Sequence, residues 1–307
     1  MRAVAHAAPP PALRYSPSVI ALDDWRARGR QYLHRGHPIF FVEEGSGPAL
    51  LLIHGFPTAS WDWTGLWAGL TARFRVIAPD LIGFGFSAKP RAYEYTLADQ
   101  ADLCAGLLRE RGIDAADVLA HDYGDTVAQE LLARSNEGQG SLALRSVCFL
   151  NGGLFPETHR PRLVQKLLIS PIGPLVGRLL TRSSFDRSFC AVIGPRTKPA
   201  REELDAFWRL VSEGGGLRVT HRLIRYMEER RTHRERWVGA LQRSRVPLRV
   251  VDGALDPVSG AHMVARYREL VPDPDVVLLP DIGHYPQTEA PEAVLAAFLA
   301  FADTRRP

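Results

Sequence analysis

The chain has 307 residues, 46% hydrophobic and 23% charged, with a formal net charge of +4 and a pI near 9.1; this size buries a sizeable core, and the balance excludes wholesale disorder and a membrane-embedded class. The basic residues are spread along the sequence rather than gathered into a patch, so no nucleic-acid partner is expected. Cys104, Cys148 and Cys190 are widely spaced and odd in number, with no CxxC, which excludes a disulfide framework or a zinc cluster and fits a reducing, cytoplasmic setting.

Residues 1–25 read as a Pro/Ala-rich flexible tail without the apolar stretch of a signal peptide. Nowhere do about 18 apolar residues run together, so no membrane partner is expected. Beyond the tail, short apolar runs alternate with helical patterns, as in a parallel sheet flanked by helices. The predicted strands are 39–43, 49–54, 74–79, 118–122, 144–150, 248–252 and 276–279. Between 154 and 245 the strand rhythm stops, and helical patterns at 162–168, 201–212 and 217–231 predict an inserted helical cap. The glycine-rich 213–216 reads as a loop between cap helices, and the mixed-charge run 228–236 as a solvated helix face. The core domain is then 26–153 together with 246–307.

The strongest local signal is DVLAHDYG, 117–124, where an apolar strand runs into a small-x-acid-x-small turn and then a helical pattern. Small residues at Ala120 and Gly124 permit the cramped strand–turn–helix of a nucleophile elbow, which projects its central side chain above the sheet. That side chain is Asp122; the alternative reading is an aspartate capping the following helix. LLIHGFP, 51–57, is an apolar strand opening into a glycine-containing turn, a setting for an oxyanion hole built from the backbone N–H groups of Phe56 and Tyr123. His54 reads as a structural hydrogen bonder. Asp256 and His284 each follow a predicted strand, giving the chain order nucleophile, acid, histidine. The residue after 144–150 is Asn151 rather than an acid, which favours Asp256; Asp252 and Asp281 are weaker rivals.

HGFPTASWDW, DLIGFGFSAKP, HDYGDTVAQELLAR, NGGLFPETHRP, RRTHRERWVGAL, GALDPV and GHYPQ together resemble the mesoderm-specific-transcript branch of the α/β-hydrolases, a neighbour of epoxide hydrolases and haloalkane dehalogenases. The likeness runs in order from about residue 25 to the last helix. It implies an α/β-hydrolase fold, with a mostly parallel central sheet flanked by helices and carrying a helical cap.

A carboxylate attacking an ordinary ester would form a high-energy anhydride, so Asp122 suits displacement at a saturated carbon bearing an epoxide oxygen or a halide, through an alkyl-enzyme ester. His284, oriented by Asp256, would activate the water that cleaves it. The expected partners are a small electrophile and water, with no cofactor or metal, in a monomer or homodimer. The resemblance implies two cap tyrosines for an epoxide or tryptophan indoles for a halide. Tyr226 is the cap's only tyrosine, Tyr123 is expected to supply the second hydroxyl, and epoxide hydrolysis is favoured over dehalogenation. Trp61, Phe155 and Tyr226 are candidate pocket residues, although large aromatics equally build cores. The reading from another class is a ligand receptor that keeps the fold without turnover.

Overall fold

The computed structural model describes residues 19–140 and 142–304. Eight strands form one sheet in the order β1-β2-β4-β3-β5-β6-β7-β8. They are β1 Arg30–His34, β2 His37–Glu44, β3 Ala49–Ile53, β4 Arg75–Pro79, β5 Ala115–His121, β6 Ala143–Leu150, β7 Leu248–Gly253 and β8 Val276–Leu279. β2 runs antiparallel to both β1 and β4, and every other pairing is parallel. The central strands are apolar throughout because helices cover both faces. Leu51, Ile53, Val118 and Phe149 point into one core, with helices Leu97–Glu110, Tyr123–Asn136 and Arg234–Gln242. Leu50, Leu52, Leu119 and Leu150 point into the other, with helices Thr64–Thr71 and Pro291–Asp303.

β1 was not among the predicted strands. At the edge of the sheet it buries only Tyr32 and His34, so RQYLH carries too little apolar signal. The tail expectation also needs correcting at its end: helix Leu22–Ala27 begins inside the stretch 1–25. Trp25 anchors it, fully buried, edge-on to Trp67 with ring centroids 4.6 Å apart, its indole N–H donating to Ser60 Oγ at 3.2 Å. Residues 1–18 of that expectation lie outside the described residues.

Between β6 and β7 the described chain is helical, as expected. Helices Leu163–Ile169 and Arg201–Ser212 match the prediction closely, and Gly173–Leu179 and Arg182–Cys190 are additional. The single helix expected over 217–231 is instead broken into Glu213–Arg218, Thr220–Leu223 and Tyr226–Thr232. Gly214 and Gly215 sit at φ 64° and 86° within the first of these, the left-handed region that glycine tolerates, so 213–216 is a kinked turn rather than an open loop. The parallel strands direct their C-terminal ends, and the loops that follow them, toward this helical layer, where sites form in such sheets.

Candidate active site

β5 ends at His121, and Asp122 follows at φ 45° and ψ −102°, a conformation that costs a non-glycine residue about 1–3 kcal/mol. Close packing holds it there. A Cβ on Gly124 would lie 2.3 Å from the Ile53 carbonyl oxygen, so the helix that starts at Tyr123 can press against β3 only with glycine at that position. A Cβ on Gly55 would lie 2.6 Å from His121 Nδ1 and 3.0 Å from Asp122 Cβ. The Phe56 N–H donates to Asp122 Oδ2 at 3.1 Å. The Tyr123 N–H, in the first turn of helix Tyr123–Asn136, has no acceptor within that helix. The two amides expected to form an oxyanion hole therefore flank Asp122. His54 is structural, with Nδ1 at 2.8 Å from the Gly55 carbonyl oxygen and Nε2 accepting from the Leu81 N–H at 3.0 Å.

His284 Nδ1 lies 2.7 Å from Asp256 Oδ2. Asp256 is held by the N–H of Val258 at 2.7 Å and of Ser259 at 3.1 Å, by Ser259 Oγ at 2.9 Å, and by Asn151 Nδ2 at 3.1 Å. Burial alone would raise the Asp256 pKa, but His284 and these donors bring it down to about 2. Burial likewise opposes the charged imidazole, yet Asp256 and then Asp122 raise His284 to about 9. Asp122 is also held below the usual carboxylate range: burial pushes it up, and the charges of Arg230 and His284 and the Phe56 N–H outweigh that. The rivals do not compete. Asp252 is buried with neither carboxyl oxygen partnered and is pushed well up by burial and by Asp256, whereas Asp281 is exposed and paired with Arg196.

Three positioning residues were not foreseen. Asn151, left-handed at φ 41°, joins the ends of β6 and β7 by accepting from the Gly253 N–H at 2.7 Å while donating to Asp256. Glu289 accepts from the N–H groups of Gly283 and Tyr285, each at 2.9 Å, and so grips the loop on both sides of His284. The third corrects a prediction. Arg230, inside the run read as a solvated helix face, is 2% exposed. Its Nη2 donates to the Asp122 carbonyl oxygen at 2.8 Å and lies 3.5 Å from Asp122 Oδ1, and its Nε donates to Thr126 Oγ1 at 2.7 Å. The cap thus reaches the elbow through a buried cation. A signal was present in the sequence: Tyr226, Met227 and Arg230 share one helical face and are the buried residues of their helix.

Of the three aromatic pocket candidates, one lies at the site. Tyr226 is buried, 5.1 Å from the Tyr123 ring and 6.0 Å from the Phe56 ring, with Arg230 over its face at 4.4 Å. No hydrogen bond of ordinary length reaches its hydroxyl among the described residues, and burial followed by the Asp122 charge raises its pKa against the opposing influence of Arg230. Trp61 packs on Phe207 and donates to the Ile20 carbonyl oxygen at 2.8 Å, lining a different cavity. Phe155 is core, fully buried against Tyr267. Tyr123 is buried as well, and burial followed by the Glu229 charge raises its pKa. A cavity of about 430 Å³ opens onto Asp122 and His284, lined among others by Phe56, Val258, Leu168 and Phe185.

A buried carboxylate on a strained elbow, flanked by two amides and facing a histidine–aspartate pair, defines a hydrolase site of the α/β-hydrolase type. The chain belongs to the α/β hydrolase fold family, which it matches over residues 48–291. Within that family it is 42% identical to the mesoderm-specific transcript protein of Mus musculus, over 96% of this chain and 90% of that one. It is 40% identical to the putative hydrolase LipZ of Mycobacterium tuberculosis, over 93% of this chain and 98% of that one. Two solved structures share the fold at a TM-score of 0.74, each covering 91% of this chain and 99% of its own: the epoxide hydrolase CorEH at 20% identity, and a loop variant of the haloalkane dehalogenase DbeA from Bradyrhizobium elkanii at 24%.

Proposed function

We propose that the chain hydrolyses small apolar epoxides through an ester on Asp122. The observation that supports this reading is the placement of the Asp122 carboxylate, with Oδ2 accepting from the Phe56 N–H and Oδ1 3.5 Å from Arg230 Nη2 at the end of the cavity. Asp122 Oδ1 attacks an epoxide carbon, that carbon–oxygen bond breaks, and the Tyr226 hydroxyl gives its proton to the alkoxide. Esterification removes the Asp122 charge, one of the influences that raise His284 after Asp256, and so shifts the imidazole toward the neutral form that acts as general base. His284 then takes a proton from water, whose oxygen adds to Asp122 Cγ while the oxyanion on Oδ2 is stabilised by the Phe56 and Tyr123 amides. Collapse expels the diol, which leaves with the former Oδ1 and with the proton from His284. The second water proton passes from the regenerated carboxyl group to Tyr226.

Tyr226 also favours an epoxide over a halide. Its hydroxyl, buried beside Arg230 and behind the residues that line the cavity, would supply the proton a departing alkoxide needs, and no tryptophan lines the described cavity to hold a halide. The test is a single turnover of an apolar epoxide in heavy-oxygen water with enzyme in excess. The expected diol is unlabelled, and the peptide containing Asp122 carries the label. A labelled diol with an unlabelled peptide would mean that water attacks the epoxide directly.

A further inference from the structure

Large exposed hydrophobic residues are few on this protein, and most of those described cluster in one place: Leu163 is 72% exposed, Leu167 38%, Ile172 55%, Leu175 57% and Leu179 66%. All five lie on or between helices Leu163–Ile169 and Gly173–Leu179 of the helical layer. Exposed apolar residues gathered on two packed helices in this way mark an interaction surface.

Its charges are of one sign. From Thr158 through Phe185 the sequence contains no aspartate or glutamate. Arg162, Lys166 and Arg178 are exposed within that stretch, and none of them forms an ion pair with a described residue. Exposed Arg222 lies beside Arg178, since Arg222, Arg178 and Arg225 lower the pKa of His221 after its burial, and of these Arg225 is paired with Glu228. The face also continues inward: Leu163 and Leu167 are both exposed on it and line the cavity that ends at Asp122 and His284.

We propose that this face docks the protein on an anionic phospholipid surface, with the mouth of the cavity opening toward the lipid. No described helix is long and apolar enough to cross a membrane, but lying on one requires only an apolar face rimmed by cations. A second copy of the chain is the poorer occupant, because a two-fold interface sets the same patch against itself and would oppose cation to cation. The proposal does not depend on the chemistry at Asp122, because its readout is binding.

The test is co-sedimentation of the full chain with vesicles of phosphatidylcholine alone and of phosphatidylcholine mixed with phosphatidylglycerol. The wild type should bind the mixed vesicles and bind the neutral ones far more weakly. Lys166→Glu/Arg178→Glu should weaken binding about 30-fold or more, at roughly 1 kcal/mol for each cation near the surface. Ile172→Ser/Leu175→Ser/Leu179→Ser should weaken it by more than about 100-fold. All these positions are exposed, and circular dichroism would verify that the variants fold. Failure of the wild type to bind mixed vesicles, or binding that either variant leaves unchanged, would overturn the proposal. So would a solution dimer that the serine variant dissolves, which would make the face a contact between copies.

Discussion

On the sheet side of the cavity, hydrogen bonds converge on Asp256 and on the loop around His284, while His121 Nδ1 and the Asp252 carboxyl oxygens beside them go without. Asp256 has four donors besides His284, Asn151 bridges two strand ends, and Glu289 fixes the loop around His284. On the helical side, several buried polar atoms have no hydrogen bond of ordinary length among the described residues: the Tyr226 hydroxyl, Arg230 Nη1 and both ring nitrogens of His159. A buried polar group left unsatisfied costs free energy, so the contrast assigns different tasks to the two halves. The sheet side carries the hydrogen-bonded frame that fixes the histidine–aspartate geometry. The helical side keeps groups in reserve for something that arrives, and it carries the apolar residues that line the way in.

The largest effect expected on the sheet side is that of Asp256→Asn. It should lower turnover by about 10,000-fold through a misoriented imidazole, with the fold intact by circular dichroism. A loss of less than tenfold would show that the frame is not what orients His284.

On the helical side, Arg230→Met removes the cation that clamps the elbow. Turnover should fall about 10- to 100-fold, the scale of a lost charged hydrogen bond. Asp122 must be ionised to attack, and Arg230 is the foremost influence holding its pKa down. The acid limb of the kcat/KM profile should therefore move to higher pH in the variant. A fall in thermal stability with the acid limb unmoved would reduce Arg230 to a purely structural clamp.

Tyr226→Phe should slow epoxide opening by a similar or smaller factor, within the ~100-fold lower range of acid catalysis, and leave a substrate with a good leaving group untouched. Equal losses on both substrates would break the assignment of Tyr226 as proton donor. The smallest effect belongs to Asp252→Asn. Burial and the Asp256 charge push that carboxyl's pKa well up, and its oxygens make no hydrogen bond among the described residues, so steady-state rates should change by less than about twofold.

The same division governs what the sequence reveals. The elbow and the strands leading to Asp256 and His284 are local patterns of apolar runs, small residues and turns, and seven of the eight strands are recognisable from them. β1 is not, because an edge strand with two buried residues resembles a polar linker. Arg230 reaches Asp122 across 108 positions, and nothing in a run of charges says which one turns inward. Trp61 and Phe155 show the converse: aromatic bulk predicts burial but not which cavity or core receives it.

In the proposed mechanism Asp122 forms a covalent ester which His284 clears, and a His284→Gln variant separates the two steps. Asp122 is ionised without help from a base, so alkylation should proceed while hydrolysis slows by about 100- to 10,000-fold. Intact-protein mass spectrometry after mixing with a reactive epoxide should show the addition of one substrate mass, and peptide mapping should place it on Asp122. An unmodified protein with every reactive epoxide and haloalkane tried would contradict covalent catalysis and leave the fold serving as a ligand receptor.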